Sequence, residues 1–573
     1  MSFCLDDGAE LLYGPARSEP GAVATGCDDE PQTAILHETA PPSEAATRAQ
    51  IHTTAAEPQS QVGEASERQS LSAHRAAEPR KGFDKRLLLA PLALAVIVLG
   101  GFFGYRYFNA AGTEQINSIA VMPFVNESGN AEVEYLSDGM TETLIKSLSQ
   151  LPNLNVKARS SVFRYKGKVT DSKTIGTELG VQTLLNGRIV QRGDQLAVSL
   201  ELIDARTENV LWTEQYDRRQ TDLINLQSAI AKDVSAKLRS KLSGAEEAQV
   251  AKTYTANPEA YQLYLKGRFV WNKRTGESLK QAVEFYKQAI EKDPNYALAY
   301  SGLAETYVLF SSYYVARAQD SMPQAKAAAQ RALELDDSLA EAHTALGEYL
   351  NHYEFDRVGA EREFRRAIEL NSNYATAHQW LGNVLGIVKR FDEALIESRR
   401  AEELDPLSPI ISMNLADNLV FARRYDEGIA QYKRTLSLNP DFSLVHWGLA
   451  TPYAAKGALP EAVAATRKYL ETGHDPVAKG YLGQYLAKSG RRDEALKLVD
   501  ELEQKSTQQY VPSISFALIY IGLGDNDKAF TWLEKEVSER GAAARWLAVL
   551  PELDDVRFDP RFKAMLKRLN LPE

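Results

Sequence analysis

Cysteine is nearly absent from this chain: of 573 residues only Cys4 and Cys27 carry a thiol. Everything beyond residue 27 therefore has no partner for an internal disulfide, and its stability must come from packing. Aromatic side chains are missing altogether from Gly14 to Gly82, where Ala, Glu, Ser, Pro, Thr and Gln dominate. A stretch with so little to bury does not offset the ~1–2 kcal/mol of backbone entropy lost per ordered residue. Residues 1–82 are therefore expected to be a disordered tail, and an acidic one. Residues 1–80 hold 13 acidic against 5 basic side chains, the larger share of the net charge of −11. That balance argues against nucleic acid as a partner of the whole chain.

Catalytic signatures are lacking too. The chain has no GxxxxGK[ST] phosphate loop, no HExxH zinc motif, no GxSxG nucleophile elbow, no kinase signature and no metal-spaced cysteines. Gly522-Leu523-Gly524 is a lone GxG inside a repeat turn. The expectation is a protein that is not an enzyme and needs no metal or cofactor.

Charge is missing from one further place. Leu87 to Tyr105, LLLAPLALAVIVLGGFFGY, runs for nineteen residues without one charged side chain. As a helix it reaches roughly 29 Å, about the thickness of a bilayer core. A core helix would show a polar stripe, and a signal peptide would have a shorter apolar run near the start. Arg80, Lys81, Lys85 and Arg86 precede the run and only Arg106 lies close behind it. The positive-inside tendency then keeps the N-terminus in the cytoplasm and puts the rest across the membrane. Residues 87–105 are thus expected to be a single transmembrane helix of the inner membrane, in contact with the lipid bilayer, with the bulk of the chain periplasmic or extracellular.

Residues 114–245 alternate between strand and helix patterns. Ile116 to Val125 is a short apolar run with Pro123 marking an edge or bulge. Leu136, Met140, Leu144, Leu148 and Leu151 give one helix its buried face. Asn153 to Arg159 reads as a second strand, and Ser172 to Leu179 as a short helix closed at Gly180. Two hairpin strands follow around Arg192-Gly193-Asp194, then a third from Val210 with Trp212 and Tyr216 on one face, and a helix from Asp222 to Leu242. The order predicts an α/β domain with a mixed sheet. Within it Lys157, Arg159, Arg164, Lys166 and Lys168 put five cations into twelve residues, with Phe163 and Tyr165 interleaved. They are either a solvated face or a patch for an anionic partner.

The stretches IAVMPFVNESGNAEVEYLSDGMTETLIKSLSQLPNLNVKARSSVFRYKGK and LGVQTLLNGRIVQRGDQLAVSLELIDARTENVLWTEQYDR resemble the domain similar to the amino-terminal part of TolB. In bacterial proteins of that kind the domain sits between a transmembrane helix and a tetratricopeptide array. The resemblance implies a non-enzymatic sensory or assembly role. Relatives of this kind often carry a Ser/Thr kinase or winged-helix domain ahead of the span; the acidic tail holds that place here, so no such output is carried over.

From residue 257 to 540 the pattern is helical and periodic. Small residues at Gly382, Ala416, Ala450, Gly483 and Ala517 are separated by 34, 34, 33 and 34 residues, and Ala394, Gly428, Ala462, Ala495 and Ala529 repeat twelve residues later. This resembles the tetratricopeptide repeat: small residues let two antiparallel helices approach, and large ones fill the gaps. Eight copies are counted. The third has one extra residue between Gly347 and Ala360, and the second a longer insertion around Ser311 to Met322. Residues 541–573 are expected to cap the last apolar face. The overall fold class is multi-domain: disordered tail, single transmembrane helix, α/β mixed-sheet domain, all-α tetratricopeptide solenoid.

The resemblance implies a concave groove lined by the first helix of each repeat, through Glu341, Thr344, Glu348, Asn351, Thr376, Gln379, Asn383, Met413, Asp417 and Trp447. That groove would take a protein or peptide bearing Arg or Lys, with Trp447 the candidate hot spot. His343, His378 and His446 recur at one repeat position, but successive helices lie roughly 10 Å apart, so core packing is expected of them and not a metal. The expected function is a membrane-anchored scaffold binding protein partners outside the membrane; the alternative is a transmembrane signalling subunit that couples such binding to a cytoplasmic output.

Overall fold

The computed structural model describes residues 116–573, apart from 239–241, 314 and 474. The expected tail and the expected span at 87–105 lie outside the described residues. Among the described residues no helix is long and apolar enough to cross a membrane.

The first domain is a mixed sheet of β1 (Ser118–Val121), β2 (Val125–Asn126), β3 (Asn155–Val156), β4 (Thr183–Arg192), β5 (Gln195–Asp204) and β6 (Val210–Arg219). The order is β3-β1-β4-β5-β6, with β2 also beside β4. Both β1 and β2 run parallel to β4, at Thr183–Leu185 and at Arg188–Ile189 respectively. They are two halves of one strand broken at Pro123, which has no amide to give the ladder. At the break the Phe124 amide donates to Thr141 Oγ1 at 2.9 Å. The Phe124 ring lies over Gly187, where a Cβ would come within 2.3 Å of it.

Helices α1 (Glu134–Ser149), α2 (Arg159–Phe163), α3 (Ser172–Leu179), α4 (Leu223–Leu238) and α5 (Gly244–Val250) complete the domain. Gly180 ends α3 in the left-handed region, φ 63°, as its position in the sequence suggests. The expected strand from Asn153 to Arg159 is corrected: only Asn155 and Val156 pair with β1. Lys157 then turns toward the helical array, and Arg159 opens α2.

The array has eight helical pairs, the number counted from the periodicity. They are α6 (Pro258–Trp271) with α7 (Gly276–Lys292), α8 (Ala297–Ser312) with α9 (Ala318–Leu335), α10 (Ala340–Tyr349) with α11 (Arg357–Leu370) and α12 (Ala375–Ile387) with α13 (Phe391–Leu404). Then come α14 (Pro409–Phe421) with α15 (Tyr425–Leu438), α16 (Leu444–Ala455) with α17 (Leu459–Leu470), α18 (Pro476–Lys488) with α19 (Arg492–Ser506) and α20 (Ile514–Gly522) with α21 (Asn526–Ser538). The small positions act as the pattern implies. The fully buried Tyr286 ring is clasped between Gly267 and Gly302, where added Cβ atoms would stand 2.6 and 2.7 Å from it.

The extra residue of the third repeat is absorbed by a π-helical turn, Leu350–Glu354, after α10, the usual way a helix takes up a single insertion. The turn between the two helices of a pair closes in the left-handed region at Arg274, Phe355, Lys389, Arg423, Gly457, Gly490 and Gly524. Four of these are not glycine, and Phe355, Lys389 and Arg423 sit where a later segment of the chain arrives.

That segment is residues 541–573, ending in α22 (Pro560–Arg568). It packs on the last repeats as expected and then runs back across the inner face. Trp546 meets Phe421 with ring centroids 5.4 Å apart. Gln484 donates to the Glu552 carbonyl at 2.7 Å, Asp554 pairs with Arg423 at 2.8 Å, and Lys389 donates to the Glu573 carbonyl at 2.6 Å.

Candidate functional site

The residues expected to line a groove are brought together, but they do not face solvent. All except Glu341 are buried, none of those nine more than 5 % exposed. Every residue of Ala375–Ile387 and of Pro409–Phe421 is buried. The expectation of an open groove is therefore corrected for this conformation. Thr344, Glu348, Asn351, Thr376, Gln379, Asn383, Met413, Asp417 and Trp447 lie under the chain's own segments. The α/β domain covers one end of the inner face and residues 541–573 the other.

At the first end Lys146 of α1 pairs with Glu341 at 2.7 Å. Glu142 takes Arg268 at 2.5 Å, Arg159 at 3.3 Å and the Asn272 amide at 2.8 Å. Arg268 reaches Glu305 with its other arm at 2.8 Å. Burial pushes the Glu142 carboxyl up, but Arg268 and Arg159 outweigh it and hold the group low. At Glu305 burial, with the nearby Glu341 charge, outweighs Arg268, Lys146 and Arg274 and raises the group. Thr376 borders a small cavity of about 140 Å³ between these groups.

The basic cluster is the second correction, because four of its five cations are used inside the molecule. Lys157 is buried and donates to the Glu403 carbonyl at 2.7 Å. Arg164 donates to the carbonyls of Leu438 at 2.9 Å and Leu407 at 3.3 Å. These carbonyls lie at or just past the ends of α13 and α15, where partial negative charge collects. Arg159 lies over the Phe163 ring at 3.6 Å, and Lys166 pairs with Glu134 at 2.6 Å and Asp138 at 2.5 Å. Lys168 alone stays exposed. Lys157 and Arg164 bolt the two domains together, Arg159 and Lys166 are used within the first, and an anionic partner has one cation left to meet.

Sequence reasoning missed Ser160, Ser161 and Asp405. Both hydroxyls donate to the Asp405 carboxylate, Ser161 at 2.5 Å, and Ser161 also accepts from the Leu407 amide at 3.0 Å. Two serines beside a cationic run carry no signal of their own. Arg545 was missed as well, although one cation inside the apolar run Gly541–Pro551 was a legible sign. It is fully buried and pairs with Glu348. Beside it Arg357 donates to the Asn351 carbonyl. Burial and Arg545 push the Arg357 guanidinium down to about 9, and burial, Arg545 and Arg357 together hold His352 well below its ordinary value.

Asp417 is buried against the Tyr432 hydroxyl, which donates to it. Burial pushes its carboxyl up from 3.8 to about 6. A carboxylate raised in the folded state stabilises the fold while protonated and loses that contribution as pH rises through the folded value. Asp417→Asn is therefore expected to gain stability relative to the parent between pH 4 and pH 6, read as the difference in melting temperature across that window. A difference flat in pH would show that Asp417 does not titrate there.

His343 and His378 act as staples within their own repeats. Nδ1 of His343 lies 2.7 Å from Glu363 and Nδ1 of His378 2.6 Å from Glu397, each joining the first helix of a pair to the second. His446 is partly buried, and burial lowers it.

Against known proteins, residues 413–476 match the tetratricopeptide repeat model. These two pairs are tetratricopeptide repeats. The tetratricopeptide array follows a domain, residues 114–233, that matches the HilA/YgeH-like transcriptional regulator, second domain. The TolB likeness rests on the residues quoted for it alone. Among curated proteins the chain is similar to putative adenylate cyclase 3 of Rhizobium meliloti, 34% identical over 230 residues, 40% of this chain and 39% of that one. It is also similar to transcriptional regulator HilA of Salmonella typhimurium, 22% identical over 234 residues, 40% of each. The chain thus spans about two fifths of the length of these relatives. Solved structures similar to the tetratricopeptide array include YrrB, a TPR protein with an unusual peptide-binding site, at 24% identity over 33% of this chain and 93% of that one, TM-score 0.25. Another is a tetratricopeptide repeat protein from Parabacteroides merdae, at 15% identity over 46% of this chain and 99% of that one, TM-score 0.35.

Proposed function

We propose that this chain is a non-enzymatic scaffold whose tetratricopeptide array binds a protein partner, and that residues 541–573 guard the inner face until the partner displaces them. The observation that carries the reading is the self-occupied inner face. Surfaces of this repeat class serve protein recognition, and here the segment covering one is tied by peripheral ion pairs at Arg423–Asp554 and Lys488–Asp555. Exposed pairs of that kind contribute only about 0–1 kcal/mol each, so the rim of the cover is weakly tied, while Trp546, Leu550 and the buried Arg545–Glu348 pair root its centre in the array. Residues 87–105 anchor the scaffold in the inner membrane and the bulk of the chain lies outside it.

The test is proximity labelling from the carboxyl end of the full chain, run on the parent and on Arg423→Ala/Lys488→Ala. The same partners recovered more strongly from the variant support the gated groove; equal recovery removes the gate. A carboxyl-terminal reporter active only in the cytosol removes the exported location.

A second reading is favoured by the company the matched segment keeps. Its curated relatives are named a putative adenylate cyclase and a transcriptional regulator, and in each the match takes about two fifths of a longer protein. On this reading the two domains are the regulatory half of a signalling protein, with partner binding relayed to a cytoplasmic output. Deleting residues 1–80 separates the two, since full function without them excludes output through the tail.

A further inference from the structure

Between the loop that joins α8 to α9 and the last two helical pairs lies a cavity of about 660 Å³. That is within the range of roughly 300–1,000 Å³ at which proteins hold small organic molecules. Tyr481, Tyr510 and Trp546 give it aromatic walls, and Trp546 comes from the segment that covers the inner face. Its charge is unbalanced. Glu536 lines it, is fully buried, and accepts from the amides of Ile514 at 3.0 Å and Ala543 at 3.1 Å. Burial pushes the Glu536 carboxyl up to about 7, against the amides of Ile514, Ala543 and Ser513, and the carboxylate of Glu539, which lines the same cavity, adds to the rise.

Lys535 stands 3.9 Å from Glu539, and the cations at the rim make other contacts. Arg317 pairs with Asp320 at 3.0 Å. Arg540 turns away to donate to the Tyr353 carbonyl and lies over the Tyr353 ring at 4.6 Å. Burial first, then Glu536 and Glu539, push the Tyr510 hydroxyl up, while Arg317 at the rim acts against them. The Ser311 hydroxyl is a buried lining atom with no hydrogen-bond partner among the described residues. Among the described residues no cation pairs with Glu536, and a buried carboxyl beside aromatic faces and open volume fits a positively charged ligand. The carboxylates pair with a positive charge and the ring faces attract it further.

We propose that this cavity binds a small organic cation, its ammonium or guanidinium held between Glu536 and Glu539 and its apolar body against Trp546 and Tyr481. The site is separate from the guarded groove, and its test does not depend on that reading. Tryptamine serves as the probe, titrated into the full chain by calorimetry, with indole-3-acetate as the same ring bearing the opposite charge. Saturable binding of one tryptamine per chain is expected, with no binding of indole-3-acetate. Glu539→Gln, a partly exposed position, is expected to weaken tryptamine about tenfold or more with an unchanged melting temperature. Glu536→Gln is expected to weaken it further; if that variant melts early, Glu539→Gln decides alone. Equal affinity for the two probes, an unchanged affinity in Glu539→Gln, or no saturable binding up to about 10 mM overturns the proposal.

Discussion

Trp447→Ala is expected to cost about 3–5 kcal/mol of stability, with no partner present. Trp447 is 1 % exposed and among the largest fully buried side chains of the chain. Its ring stacks on Tyr469 at 5.5 Å and meets Tyr481 edge-on at 5.4 Å, contacts that add to the area it buries. Truncation would leave a void between α16 and its neighbours which the close-packed helices cannot refill. The measurement is thermal or urea unfolding followed by the transition of the C-terminal repeats, with Trp447→Phe expected to lose much less. A hot spot for a partner behaves the other way, melting like the parent and failing only in binding; that outcome would restore Trp447 to the groove surface.

Arg268→Met is expected to cost about 3–5 kcal/mol as well, the usual consequence of removing one member of a buried ion network. It strips the short ion pair from Glu142 and the 2.8 Å pair from Glu305 together. Glu142 retains Arg159 at 3.3 Å, whereas Glu305 keeps, among the described residues, the Tyr374 hydroxyl at 3.1 Å and the more distant charges of Lys146 and Arg274. Glu305 is already raised by burial with Arg268 in place, and without it rises further. Its folded value then exceeds its unfolded value, so the fold gains from the proton at low pH and loses that gain as pH rises through the folded value. The deficit of the variant against the parent is therefore expected to shrink as pH is lowered toward the ordinary glutamate range of about 4.3. Melting curves from pH 4 to pH 8 read it directly. A deficit independent of pH would mean that Glu305 is not the group left unpaired.

Both predictions concern residues whose neighbours lie far away in sequence, and that distance marks what could be read from the chain alone. The small-residue periodicity around Gly382 and Ala416 requires paired helices, because only small side chains let two backbones approach. The extra residue between Gly347 and Ala360 was counted from the sequence, and the structure absorbs it in a π-helical turn. Pro123 announced the break between β1 and β2. By contrast Lys157 and Arg164 were legible as cations but not as bolts, since the carbonyls they meet are 243 to 274 residues away. Nothing local distinguishes a lysine bound to a helix end from one in water.

Local spacing and composition thus determined the elements of this protein: a mixed sheet, then eight helical pairs closed by an apolar C-terminal segment. What fills the hollow of the array was decided only in three dimensions. The repeat pattern is silent about curvature and about what returns to the inner face. The non-glycine turns at Phe355, Lys389 and Arg423 take on left-handed backbone, and the folded chain uses them to hold residues 541–573. Burial of a surface depends on which distant segment reaches it, and periodicity carries no information about that reach.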